Sequence, residues 1–215
     1  MTDPVPDPVA DPVADPVPDP VTDPVADVAA AGYRLVAGQF ASGIVVVTTS
    51  GGSAAAVSAF ASVSLEPPLV LFCAAKTSPF HDAVLAAGEW AVSVLAGDAE
   101  QTARWLAAGG PPPGGLASDR HPPAAQLDAV PQHPAPVTGA SPLAAVPSYP
   151  GPVTGAPLLA GALATLECRT DTVHDGGDHT IIIGQVLAAS SPDAAPARAP
   201  LLRYAGAYRR LRLLG

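Results

Sequence analysis

Positive charge is scarce in this sequence. The 215 residues include ten basic side chains against nineteen acidic ones, and Lys76 is the only lysine. A net charge of −9 leaves no basic field that could hold a nucleic acid, so no nucleic-acid partner is expected. Apolar residues make up 48% of the chain and charged residues 13%, which favours a folded domain with a substantial core over general disorder.

Long apolar runs are absent as well. Segments such as residues 69–75 are far too short to cross a bilayer, and the N-terminus lacks the basic and apolar regions of a secretory signal. The sequence therefore predicts a cytoplasmic protein with no membrane partner. Its two cysteines, Cys73 and Cys168, lie far apart in apolar runs, where we expect buried reduced thiols rather than a disulfide or a metal site.

Residues 1–28 form a low-complexity segment. Asp-Pro-Val occurs six times at four-residue spacing, with seven aspartates and no basic residue. A proline in every copy prevents a helix and a two-sided strand, so we predict a disordered, extended tail. Residues 29–215 then carry twelve acidic and ten basic side chains, a net charge of −2, and form the folded domain.

The pattern of residues 29–215 is mostly that of a β protein. Three short helices are expected: residues 33–40, a helix that begins at Ser78, and one that Asp98 caps. At least six apolar or β-branched runs predict strands, including residues 44–50, 69–74, 90–95, 162–173 and 180–190. This count predicts a closed or partly closed β-barrel.

Residues 109–148 are rich in proline, glycine and alanine. The segment 129–140 returns as residues 145–156, so the sequence contains an internal duplication. A structureless loop of this length is unusual inside a compact domain. We interpret residues 109–148 as an insertion grafted onto a loop, with strands resuming at residue 162.

The lysine is placed where a strand gives way to a helix. Ser78 is a good N-cap and Pro79 suits the first turn, so the positive end of the helix dipole lies near Lys76 and Thr77. These groups could hold a phosphate. The alternative is an ordinary capped helix beside a solvated lysine.

Five separated blocks of sequence resemble the flavin reductase-like family. They are GQFASG at 38–43, VSAFASVSLEPPLVLFC at 57–73, KTS at 76–78, HDGGDHTIIIGQVL at 174–187 and YAGAY at 204–208. The resemblance implies a homodimeric FMN-binding split β-barrel of Greek-key topology. It also implies reduction of free FMN or FAD by NADH or NADPH, for delivery to a partner monooxygenase.

The resemblance also implies a set of site residues. Flavin contacts are expected at Ser53, Ala54, Ala55, Ala56, Ser58, Ala59, Cys73, Ala74, Ala75, Ser78, Pro79, Phe80, Arg104 and Trp105. Lys76, with Thr77 and the helix end at Ser78, is expected to hold the flavin phosphate. The nicotinamide side is expected at His179, the catalytic candidate, and at Leu202, Arg203, Tyr204 and Ala205. No metal site is expected.

Two of these assignments have structural alternatives, since His179 could be a solvated turn residue and Trp105 a core anchor of its helix. The sequence also departs from the family at residues 54–56, 79–80 and 205, where a hydroxyl or a cation is frequent. These losses leave two further functions open. One is a flavin-binding protein without reductase activity, and the other is a protein that keeps its flavin for a biosynthetic redox step.

Overall fold

A computed structural model describes residues 30–109, 141–191 and 198–211. The Asp-Pro-Val tail and the first copy of the duplication lie outside the described residues. None of the described helices is long and apolar enough to cross a membrane.

The described residues form three helices and twelve strands. The helices are α1 (Ala30–Ala37), α2 (Pro79–Ala87) and α3 (Glu100–Ala107). The strands are β1 (Ser42–Gly43), β2 (Val45–Thr49), β3 (Ala54–Val57), β4 (Phe60–Leu65), β5 (Pro68–Ala75), β6 (Glu89–Val94), β7 (Ser148–Pro150), β8 (Pro157–Leu159), β9 (Ala164–Gly176), β10 (His179–Ser190), β11 (Leu201–Tyr204) and β12 (Ala207–Arg210). The prediction of a mostly β protein is confirmed.

Seven strands form one antiparallel sheet in the order β3-β2-β6-β9-β10-β5-β4. The edge strands β3 and β4 are consecutive in the chain and are separated only by Ser58 and Ala59. A linker of two residues can join these two edge strands only if the edges lie close together, so the sheet is rolled into a barrel. Among the described residues no backbone ladder joins β3 to β4, so the barrel is split at that point.

The barrel core follows from alternation along the strands. In β5 the side chains of Val70, Phe72 and Ala74 point inward, because successive side chains of a strand face opposite sides. Trp90 on β6 is fully buried and contacts Phe72 edge-on, with ring centroids 4.9 Å apart. Each fully buried large apolar side chain contributes roughly 1.5–3 kcal/mol of transfer free energy. The indole N–H of Trp90 donates to Thr170 Oγ1 at 3.1 Å, so the polar end of this ring is satisfied.

A second apolar cluster lies between α3 and the outer side of the barrel. Ala103 and Leu106 of α3 pack there with Leu143, Val146 and Leu159. Residues 141–148, the described part of the predicted insertion, therefore pack against the domain, and β7 and β8 precede residue 162, where strands were expected to resume. Apolar residues spaced between prolines gave no periodic signal, yet they bury against α3.

A buried carboxylate fastens the second copy of the duplicated sequence to the sheet. Glu167 of β9 is 2% exposed. Its Oε2 accepts hydrogen bonds from Val153 N at 3.0 Å, Thr154 N at 2.6 Å and Thr154 Oγ1 at 2.8 Å. Gly151 makes this possible, since a Cβ at that position would collide with the Glu167 carboxylate.

Two helix predictions need correction. The first helix ends at Ala37 rather than continuing to residue 40, and its apolar side chains Tyr33 and Val36 are exposed in the single chain. Asp98 does not cap α3, which begins at Glu100 after Ala99 without a side-chain cap. Both oxygens of Asp98 instead accept from Arg198 Nη2, at 2.6 and 2.8 Å, so the carboxylate is engaged by an arginine rather than by the helix amides.

Candidate functional site

The loop after β5 and the β9–β10 hairpin meet at one end of the barrel. The β5–β10 ladder places His179 directly opposite Ala75. The next residue, Lys76, donates its backbone N–H to the Asp178 carbonyl at 3.0 Å. The lysine and the histidine predicted from sequence therefore lie on adjacent strand ends, although 103 positions separate them in the chain.

Helix α2 begins at this end of the barrel. Ser78 is its N-cap and Pro79 its first residue, as the sequence predicts. The Ser78 amide donates to the Ala75 carbonyl, the Phe80 amide to Ser78 Oγ at 3.3 Å, and the His81 amide to the Ser78 carbonyl. These three amides are already engaged, so Lys76 is the main cationic donor that the loop offers to an anion.

Lys76 has an acidic partner on the hairpin. Its Nζ lies 2.8 Å from Asp175 Oδ2, and the hydrogen bond from Lys76 lowers the pKa of that carboxyl. Asp175 Oδ1 accepts the Gly177 amide at 2.8 Å, which holds the carboxylate in place. Gly177 itself adopts a φ of 80°, the left-handed conformation that this tight turn requires.

The outward face of β5 carries only small side chains near its end. Cys73 and Ala75 are half-buried and face away from the core, while Ala74 and Phe80 turn into it. Of the predicted flavin contacts, Ala74 and Phe80 therefore have their side chains in the core and can offer only backbone atoms. The Cys73 amide donates to the Ala59 carbonyl at 3.1 Å, which brings Ser58 and Ala59 beside this face. Burial raises the pKa of the Cys73 thiol.

The ring of His179 is oriented by its neighbour in the turn. Nδ1 lies 2.7 Å from Asp178 Oδ1, and this hydrogen bond lowers the pKa of Asp178. The side chain of His179 is 43% exposed, so its other nitrogen is free to face a ligand from the solvent side. The geometry suits positioning of a ligand rather than nucleophilic chemistry.

A second cluster gathers two predicted arginines around a residue that the sequence did not single out. The guanidinium carbons of Arg104 and Arg203 lie 5.0 and 5.2 Å from the centroid of the Tyr208 ring. Arg104 is also paired with Glu100 at 2.7 Å. Burial raises the pKa of Tyr208, and the two arginines act in the opposite direction. Two cations on one ring form a site that suits an anionic or aromatic group.

The remaining predicted residues lie around this second cluster. Leu202 and Arg203 of β11 pair with β1 and β12, outside the seven-stranded sheet. Ala205 adopts a φ of 47° in the β11–β12 turn, and its amide donates to the Gly38 carbonyl at 2.7 Å. Helix α3 lies against β3, the strand of Ala54, Ala55 and Ala56 that follows Ser53. Trp105 is only half-buried, and Ala103 and Leu106 anchor α3 instead.

Three residues near these clusters were missed by sequence reasoning. Asp175 and Tyr208 interact with predicted residues over long sequence separations, which local patterns do not show. His81 was assigned no role, yet its Nε2 lies 2.9 Å from Thr180 Oγ1 and ties α2 to β10. Among the described residues, no group of three or more potential ligands could hold a metal ion.

The fold is that of a known family. The family model described as "Flavin reductase like domain" matches residues 37–212, and the chain belongs to this family.

Three relatives illustrate the match. The NADH-dependent FAD reductase of Streptomyces globisporus is 36% identical over 179 residues, covering 82% of this chain and 83% of the relative. A flavin-dependent monooxygenase reductase subunit of Rhodococcus jostii is 34% identical, covering 82% and 75%. The solved structure of the Streptomyces globisporus NADH:FAD oxidoreductase with NAD and FAD fragments has a TM-score of 0.66 at 33% identity, covering 85% of this chain and 92% of that one.

The residues present fit a flavin. The outward face at the end of β5 has no side chain larger than that of Cys73, so a flat ring can approach the backbone. Lys76 supplies a cation at the adjoining helix start, and this cation could pair with the phosphate of a flavin. The donor set therefore matches an aromatic ring that carries an anionic tail.

Proposed function

We propose that this protein is an NADH-dependent flavin reductase that supplies reduced FMN or FAD to a partner monooxygenase. The observation that carries the proposal is the junction of Lys76, Ser78 and His179 beside the small-residue face of Cys73 and Ala75. Relatives of this family carry the names of NADH-dependent flavin reductases and monooxygenase reductase subunits.

The protein contributes binding and orientation to this reaction. The isoalloxazine ring accepts a hydride from a nicotinamide when the two rings are held at contact distance. We assign the ring to the face of Cys73, Ala75, Ser58 and Ala59, and the phosphate to Lys76. His179, oriented by its hydrogen bond to Asp178, borders the open side of that face and positions the nicotinamide. Residues 202–205 and Arg104 are proposed to contact the remainder of the nucleotides.

A substrate flavin must leave after reduction, so modest affinity suits this function. Three features keep the affinity low. The helix-start amides are engaged within the protein, Lys76 is the only lysine or arginine in residues 73–81, and Ala54–Ala56 offer no side-chain hydroxyl. NADPH as an alternative donor and the cytoplasmic location remain predictions.

The test is nucleotide consumption by the purified protein. NADH and NADPH oxidation is followed with FMN, with FAD and with no added flavin. We expect turnover that depends on added flavin and colourless protein as purified. Turnover without added flavin by a yellow protein would favour a retained flavin, and no turnover by a protein that binds flavin would overturn the reductase assignment.

Variants of two histidines on the same hairpin test the site. His179→Asn should lower kcat/KM for NADH at saturating flavin by about tenfold or more, the loss of one positioning contact of roughly 1.4 kcal/mol. His174→Asn is the matched control, because His174 is exposed on β9 and faces Ile181 across the ladder. Equal effects of the two changes would contradict the role of His179.

We also propose that two copies of the chain form a homodimer through α1 and the segment after it. Tyr33, Val36 and Phe40 are 64%, 74% and 82% exposed in the single chain. An apolar surface of this kind marks an interaction site. Val36→Asp should shift the mass in sedimentation equilibrium from dimer to monomer, whereas Val63→Asp, at an exposed valine of β4, should not. A monomeric mass for the wild-type protein in this assay would refute the proposed dimer.

A further inference from the structure

The lone lysine is fastened to the hairpin at two points. Its backbone N–H bonds the Asp178 carbonyl at 3.0 Å, and its Nζ bonds Asp175 Oδ2 at 2.8 Å. The carboxylate of Asp175 is itself held by the Gly177 amide at 2.8 Å. The ammonium that a flavin phosphate would use therefore already has an anionic partner in a defined position.

The pair is open to solvent and open to exchange. The side chains of Lys76 and Asp175 are 38% and 77% exposed, so an incoming anion can reach the ammonium. An exposed ion pair of this kind contributes little to stability. Its main consequence is the charge that it places next to the ammonium.

We propose that Asp175 is an affinity-determining residue of the flavin site, which competes with the flavin phosphate for Lys76. The inference rests on the proposed function, in which Lys76 holds that phosphate. An ammonium has three donors and can contact a carboxylate and a phosphate together, but the two anions then lie within a few ångströms and repel each other. Asp175 thereby weakens binding of flavins that carry a phosphate and hastens their release.

The competition predicts a change that depends on the phosphate. Asp175→Asn removes the negative charge and keeps one oxygen, which can still accept the Gly177 amide, while the NH2 group that replaces Oδ2 no longer accepts from Lys76. FMN should bind roughly fivefold or more tightly to this variant, since the change removes an opposing charge at close range. Riboflavin, which has the same ring without the phosphate, should bind with less than a twofold change.

The experiment measures dissociation constants of FMN and riboflavin by quenching of flavin fluorescence. The proteins are wild type, Asp175→Asn, Lys76→Met and the double variant. Asp171→Asn is the matched control, because Asp171 is exposed on the same strand and four residues, about 13 Å, from Asp175. In this control both dissociation constants should stay within twofold of wild type. The tightening by Asp175→Asn should disappear in the Lys76→Met background, where there is no ammonium to compete for.

The experiment distinguishes a failure of the proposed phosphate site from a failure of the competition. If Lys76→Met changes FMN and riboflavin binding alike, Lys76 does not hold the phosphate, and that part of the proposed site falls together with the inference. If Lys76→Met weakens FMN selectively but Asp175→Asn leaves FMN binding unchanged or weakens it, the phosphate site stands and the competition is refuted. NADH consumption with saturating flavin reports on the reductase assignment independently of both results.

Discussion

Because Gly184 of β10 has no side chain, the indole of Trp90 fits against the backbone there. A Cβ at residue 184 would collide with Cζ2 of the indole, lie 3.0 Å from Cη2 and lie 3.1 Å from the Arg169 carbonyl. Trp90 is fully buried, contacts Phe72 edge-on and donates to Thr170, so a shift of its ring disturbs these contacts. The methyl group of Gly184→Ala must therefore displace the largest side chain of the core.

The cost follows from these contacts. Overpacking a dense core costs about 1–3 kcal/mol. Displacing Trp90 also weakens its hydrogen bond to Thr170, which is worth about 0.5–1.5 kcal/mol. We expect Gly184→Ala to lower the free energy of unfolding by about 2–4 kcal/mol, a large part of the total for a domain of this size.

Equilibrium urea unfolding measures this change. Gly43→Ala is the matched control, because a Cβ there meets nothing within 4 Å, and it should change stability by less than about 0.5 kcal/mol. Trp90→Phe removes the atoms that collide with the new methyl group, so the double variant Gly184→Ala/Trp90→Phe should be more stable than additivity predicts by about 1 kcal/mol or more. Additive costs, or a cost below about 1 kcal/mol for Gly184→Ala alone, would refute the packing argument.

Three further outcomes follow from single groups. Glu167→Leu leaves the Val153 and Thr154 amides without their acceptor, so it should lower the free energy of unfolding by about 2–5 kcal/mol in the same urea assay. A loss under about 1 kcal/mol would mean that water replaces the carboxylate. Arg198 lowers the pKa of Asp98, so their pair adds stability above pH about 4, the unfolded value, and loses it as the pH falls through the lower folded value. The cost of Asp98→Asn should be at most about 1 kcal/mol at pH 7 and should shrink as the pH falls below about 4, and a cost independent of pH would contradict the ion pair. Burial and the nearby Glu167 raise the pKa of Cys168 to about 12, so a thiol reagent at pH 8 should modify Cys168 only in urea. Mass spectrometry would detect the modification, and rapid labelling of Cys168 in the native protein would argue against its burial.

Local patterns predicted the main strands of the barrel, because runs of apolar and β-branched residues favour strands whatever their neighbours in the fold are. The runs at residues 44–50, 90–95 and 180–190 became β2, β6 and β10. The resemblance of five blocks predicted the family and the mostly β fold, and both are confirmed.

The errors have a common physical cause. Asp98 was expected to cap a helix, but it is engaged instead by Arg198, which lies 100 residues away in the chain. Leu143 and Val146 were placed in a loop because prolines surround them, but the α3 surface buries them. In each case a contact over a long sequence separation overrides the local preference, and no local pattern contains that information.

Local patterns also missed long-range contacts in the candidate flavin site. The sequence identified the strand, the lysine and the helix start, all within residues 68–87, because they are contiguous. It did not identify Asp175, which reaches Lys76 only through the β5–β10–β9 ladders. On the proposal made above, the affinity of this site for an anion depends on the difference between the interaction of Lys76 with the ligand and its interaction with Asp175. The loop that the sequence predicts to bind a phosphate carries, in the folded protein, a lysine that is already paired with a carboxylate. Such a pair would suit a protein that releases its flavin.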